Sequence, residues 1–133
     1  MAAASDEEQI RQLLATYVQK TDDFDARGKS ELFAEDGRYY PASGEVVGRE
    51  AIYNTVASRV AAQPKDLHTK HMCGNSVIRI SDDTAEAATD YVVYRREGES
   101  PWQILQIGRY YDRFVRRGGT WFFSENRPVK LGP

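Results

Sequence analysis

WQILQIGRYYDRFVRRGGTWFFSENR, residues 102–127, reads as two long strands joined by a tight turn at Gly118-Gly119. Period-2 alternation puts Trp102, Ile104, Gln106, Gly108, Tyr110, Asp112 and Phe114 on one face of the first strand. Gln103, Leu105, Ile107, Arg109, Tyr111, Arg113 and Val115 take the other. Both faces are partly apolar, so both are expected to be covered, one by the protein's own core and the other by another subunit. Upstream, Thr84 to Tyr94 is rich in strand formers and is bounded by turn residues at Ser81-Asp82-Asp83 and Glu97 to Ser100. His68 to Ile80 forms a further strand. Consecutive strands linked by such short turns pair antiparallel.

The N-terminal half has a different period. Ser5 followed by Glu8 is a capping box, and Ile10, Leu13, Leu14 and Tyr17 then recur at i, i+3, i+4 and i+7. The stripe ends at Thr21-Asp22-Asp23-Phe24-Asp25, a run suited to a turn. Gly28 opens a short second helix around Ser30 to Ala34, ended by Asp36-Gly37, and Arg38–Tyr40 and Glu45–Val47 form two short strands. A third helix runs from Arg49 to Gln63, with Ile52, Val56 and Val60 on one side and Pro64 as its stop. The order predicts an α+β fold: three N-terminal helices packed on one face of a curved, mainly antiparallel sheet, with a pocket between the layers.

The 133 residues suit one domain, and neither repeats nor a linker interrupt them. Eighteen Lys and Arg against 20 Asp and Glu argue against a nucleic-acid or anionic-membrane partner. No apolar run approaches the roughly 20 residues of a membrane span. MAAASDEEQ has neither the positive nor the apolar region of a secretory signal, so a cytoplasmic location is expected. One cysteine, Cys73, excludes an internal disulfide and a Cys-based zinc cage. Eight Tyr and two Trp suit a pocket for an apolar ring system with a few polar ends.

The only histidines, His68 and His71, make their segment the first place to seek a general base. On a strand the two point to opposite faces and would not share a metal, so no metal site is expected. Asp22 and Asp23 stand at the end of the first helix, where negative charge opposes the helix dipole. Such a placement is either a loop cap or a functional device. Tyr17, five residues before Asp22, lies near the same helix end.

Six ordered pieces carry a family resemblance: Tyr17-x4-Asp22; Leu32-Phe33-Ala34-Glu35-Asp36-Gly37; Gly48-Arg49-Glu50-Ala51-Ile52; His71-x3-Asn75; Gly108-x-Tyr110-x-Asp112; and Gly119-Thr120-Trp121. From about Glu7 to Val129 the chain resembles the SnoaL-like branch of the nuclear-transport-factor-2-like superfamily, and residues 1–133 are read as one such domain. Within it the sequence is similar to the group of scytalone dehydratase, bile acid 7α-dehydratase and hexachlorocyclohexane dehydrochlorinase. The resemblance implies a cone-shaped fold and an Asp–His dyad facing a closed apolar cavity. It places the dyad on Asp22 and His71, a polar pocket residue at Tyr17, and an arginine that some members use at Arg127. The segment Asp22 to Ser30 departs from the commoner Asp-Trp-Asp pattern, which keeps Asp23 beside Asp22 as a candidate. The chain also lacks the long C-terminal extension that covers the cavity in some of these enzymes.

These matches imply a cofactor-independent lyase or isomerase acting on a small cyclic, largely apolar or polycyclic substrate, in keeping with the absence of a Gly-rich phosphate loop. Asp22 would orient His71 as a base, and Tyr17, Tyr40 or Tyr91 would supply a proton or a hydrogen bond to the developing oxyanion. Trp102, Tyr110, Asp112 and Arg127 complete the expected substrate contacts. Two other readings stand beside this one: a ligand-binding or assembly protein of the same fold, and an epoxide-opening hydrolase or cyclase using Asp22, Asp112 and an arginine. The resemblance also implies a homo-oligomer, dimeric or trimeric.

Overall fold

Ser5 caps the first helix as expected, its Oγ accepting the Glu8 N–H at 3.2 Å. The computed structural model describes residues 3–132, and in it α1 covers Asp6–Asp22 with Ile10, Leu14, Tyr17 and Val18 buried. The second helix lies earlier than its sequence predicts. α2 is Ala26–Ser30, because the Asp25 carboxylate accepts the Gly28 N–H at 2.8 Å and so starts the turn there. Phe33 and Ala34, expected in that helix, instead begin strand β1, Phe33–Tyr39. Both are buried there, and β1 pairs in parallel with the last strand; burying these two apolar residues outweighs extending a five-residue helix.

β2, Val46–Val47, pairs antiparallel with β1, and α3, Arg49–Ala62, follows with Ile52 and Val56 buried. The rest is an antiparallel run of β3 (Leu67–Ser81), β4 (Thr84–Glu97), β5 (Gln103–Arg117) and β6 (Thr120–Lys130). At the β5–β6 turn Gly118 and Gly119 adopt φ of 59° and 78°, a left-handed pair that side-chain-bearing residues avoid. The curved sheet has the order β2-β1-β6-β5-β4-β3. α1 packs on β3, α3 on β1, and α2 lies between the two longer helices. Phe33, Phe114 and Phe123 form the centre of the core, with ring centroids 5.3 and 4.9 Å from Phe123. No described helix is long and apolar enough to cross a membrane.

Three ladder irregularities decide which side chains face the helices. An extra residue reverses the alternation of the strand that carries it. In β3 the shift between Cys73 and Ser76 turns an inward set of Thr69, His71 and Cys73 into one of Ser76, Ile78 and Ile80. In β5 Leu105 is the extra residue: Gly108, Tyr110, Asp112 and Phe114 are buried as the alternation predicts, whereas Trp102 and Ile104 are 47% and 61% exposed. In β6 Ser124 is extra, so Phe123 and Asn126 are both buried although three positions apart. The opposite face of β5 is uncovered in the single chain, with Ile107 and Tyr111 exposed.

Candidate active site

Asp22 closes α1, and the inward residues of β3 meet it there. Its Oδ1 accepts from the Thr69 hydroxyl at 3.1 Å and lies 2.6 Å from His71 Nδ1, while Oδ2 accepts the His71 backbone N–H at 2.9 Å. These donors offset the unfavourable placement of a carboxylate at a helix C-terminus. The same residue that supplies the imidazole therefore also anchors its partner through the backbone. With Nδ1–H donating to Asp22, Nε2 carries the lone pair. The two side chains are only 14% and 8% exposed, so the pair is largely withdrawn from water. Of the two aspartates left open by the sequence, Asp22 takes this position and Asp23 is an exposed helix cap. His68 is exposed on the other face of β3.

His71 lines a cavity of about 780 Å³ between the helices and the sheet. Its walls include Tyr17, Tyr39, Tyr91 and Tyr110, with Lys29 from α2 among them. The cavity is open at one end, where the exposed residues Ala42, Gln63 and Lys130 form part of its lining, and so differs from the closed pocket expected. Tyr17, Tyr40, Tyr91, Tyr110 and Arg127 all line it. Trp102 and Asp112 do not: Trp102 precedes β5 on the exposed side of the Leu105 irregularity, and Asp112 is buried behind the wall. Arg127 lies flat over the Tyr40 ring, 3.9 Å from its centroid. Tyr91 stacks on Tyr110 at 4.2 Å, and its hydroxyl, which has no partner among the described residues, would stand 2.5 Å from a Cβ at position 108. Only glycine fits opposite this tyrosine.

Behind the cavity wall runs a chain of buried polar groups. The Tyr17 hydroxyl donates to Asn126 Oδ1 at 2.8 Å, and Asn126 Nδ2 donates to Asp112 Oδ1 at 2.7 Å. Burial pushes the Asp112 carboxyl up to about 8, against the lowering effect of the Asn126 amide and the Arg127 backbone N–H. Burial likewise holds the Tyr17 phenol well above its ordinary value. Because the Asn126 amide turns its N–H₂ toward the carboxylate, it offers Tyr17 an acceptor only. The Tyr17 proton is thus committed to Asn126.

Sequence reasoning missed Asn126 and Lys29. Alternation from Trp121 and Phe123 points Glu125 inward, and only the extra residue at Ser124 brings Asn126 round. Lys29, in a polar stretch of a short helix, has no signal that marks it as buried, yet it is 5% exposed. Its ammonium stands 4.7 Å from the Tyr17 ring centroid and 5.3 Å from that of Tyr39. Burial lowers its pKa, while attraction to Tyr39 works the other way.

The SnoaL-like domain family matches residues 2–127. No curated protein sequence matches the chain. Among solved structures, an NTF2-like protein with a cystatin-like fold from Novosphingobium aromaticivorans is 27% identical, with a TM-score of 0.78 over 95% of this chain and 82% of that one. A candidate scytalone dehydratase from the same organism is 22% identical, with a TM-score of 0.80 over 95% of this chain and 84% of its own. ActVI-ORFA from Streptomyces coelicolor is 15% identical, with a TM-score of 0.86 over 96% of each chain.

Proposed function

The chain belongs to the SnoaL-like domain family, and we propose that within it this protein is a cofactor-independent lyase or isomerase whose general base is His71. One observation carries the reading: the 2.6 Å Asp22–His71 contact places an oriented imidazole in the wall of a cavity rich in aromatic rings. Nε2 takes a proton from a carbon next to a carbonyl of a small cyclic, largely apolar substrate, and the C–H electron pair moves onto the carbonyl oxygen. Asp22 stabilises the imidazolium that results. The enolate then re-forms the carbonyl by expelling a β-hydroxyl, which leaves as water with the proton held by His71. Alternatively the same proton returns to a different carbon, giving an isomer. Neither route needs a proton from Tyr17, whose hydrogen is engaged with Asn126; Tyr17 contributes its ring to the cavity wall.

The epoxide-opening alternative needs Asp22, an arginine and Asp112 around one water. Here Asp22 is held by His71, Asp112 by Asn126, and Arg127 lies over Tyr40, so the three are divided among separate contacts. We place the protein in the cytoplasm as a homo-oligomer, on its apolar outer sheet face.

The test is α-proton exchange in D₂O, followed by NMR with cyclic β-hydroxy ketones of one to three rings. Exchange or elimination with the wild type, lowered about 10²–10⁴-fold in His71→Ala, supports the base assignment. Unchanged rates in a folded His71→Ala protein overturn it. Binding of these compounds without any exchange marks a ligand-binding protein instead.

A further inference from the structure

Lys29 is a buried cation without a protein counter-charge in the lining of this cavity. Among the described residues no carboxylate lies within ion-pair distance of its ammonium. Asp22, whose attraction reaches it weakly, already accepts from Thr69 and twice from His71. Of the other cationic residues of the lining, Lys20 pairs with Asp25 at 3.2 Å, Arg59 meets the Tyr39 and Ser43 hydroxyls, Arg127 lies over the Tyr40 ring, and Lys130 is solvent-exposed at the open end. Lys29 has the faces of Tyr17 and Tyr39 and the Tyr39 hydroxyl, which hold an ammonium without neutralising it, while the nearby Arg59 charge repels it. A buried charge is costly unless something pairs with it. Here the cavity opens on that charge, so an incoming ligand can complete the pair.

We propose that Lys29 is the anion-receiving group of the cavity, and that the protein's ligand is a ring compound presenting an anionic oxygen to it. The oxygen is either a carboxylate, charged before binding, or a carbonyl oxygen that becomes an enolate when the neighbouring carbon loses its proton. In the second case the C–H electron pair ends on the oxygen facing Lys29, while the proton ends on His71. That arm rests on His71 acting as the base; the binding preference itself does not.

The probes are 2-naphthoate, its neutral counterpart 2-naphthylmethanol, and 2-naphthol, whose ionised form has its own absorbance band. Calorimetry on the full chain is expected to show 2-naphthoate bound at least about tenfold more tightly than the alcohol. Lys29→Met, which keeps the length of the side chain, abolishes the preference while still binding the alcohol, which also reports that the variant is folded. Should Lys29→Met fail to fold, Lys29→Gln takes its place. 2-Naphthol bound as naphtholate identifies an enolate-type oxygen, and 2-naphthol bound neutral beside tightly held naphthoate identifies a carboxylate. The preference persists in His71→Ala, so loss of proton abstraction there leaves this inference standing. Equal affinity of the wild type for naphthoate and the alcohol overturns it, and so does a preference that survives Lys29→Met.

Discussion

Replacing Asp22 by Asn tests the dyad at its support. An amide cannot present acceptors both to the His71 backbone N–H and to Nδ1–H with Thr69, so the imidazole loses its fixed tautomer. The rate should fall by about 10²–10⁴, comparable to loss of the base. Stability should fall by about 1–3 kcal/mol as a buried donor loses its acceptor. Urea unfolding beside the exchange assay separates the two effects, since a purely structural pair moves only the stability. Gly108 offers a second test: an added methyl meets Val129 O at 2.4 Å and the Tyr91 hydroxyl at 2.5 Å. Gly108→Ala should cost about 1–3 kcal/mol in the same urea titration, as overpacking does elsewhere.

Asp112 makes stability depend on pH. Its folded value of about 8 lies above the ordinary 3.8, so between those limits the folded protein holds a proton that the unfolded chain releases. This residue therefore costs no stability below about pH 4, costs progressively more as pH rises, and reaches its full cost above about pH 8. Melting curves from pH 5 to pH 9 should show the wild type losing several degrees more than Asp112→Asn.

At the scale of elements, the start of α1 is held at two levels. Ser5 caps its backbone, and the Asp6 carboxylate receives Arg116 at 2.7 Å and the Trp121 indole N–H at 3.1 Å, tying the helix to β5 and β6. Ser5→Ala should cost about 1 kcal/mol, read as a lower urea midpoint with an unchanged slope, because the tertiary ties stay in place. The α1 stripe was legible because each of its residues faces one layer only. α2 was not, because Leu32-Phe33-Ala34 has no period of its own and its burial depends on pairing with a strand about ninety residues later. The same helix holds the surprise of the site, since Lys29 is buried by α2's position between the other two helices.

For the whole molecule, the outer face of the sheet is the unresolved demand. Met72, Val92 and Ile107 are adjacent across β3, β4 and β5, and Val77, Ala88 and Tyr111 form a second row. Met72, Val77, Ile107 and Tyr111 are each 45% exposed or more, an apolar surface larger than scattered residues make. We expect a homo-oligomer through this face. Light scattering at micromolar concentration should report a dimer or trimer, and Ile107→Glu should shift it toward monomer. A wild-type monomer defeats the expectation.

Local pattern alone determined α1, α3 and the four long antiparallel strands, since caps, apolar spacing and tight turns act over a few residues. The ordered motifs likewise single out Asp22 and His71 by their positions in the sequence. Only the tertiary structure decided between Asp22 and Asp23, since that choice depends on which carboxylate meets β3 beyond the helix end. It also decided that Trp102 lies outside the cavity, that Asp112 and Asn126 lie behind its wall, and that Lys29 lines it. One kind of physical reason covers Trp102, Asn126 and Lys29. Strict alternation and residue type predict burial only where strands run without interruption and helices keep their expected ends. A single extra residue in β5 or β6, or a helix started earlier by an Asp25 cap, reassigns side chains that no local signal distinguishes.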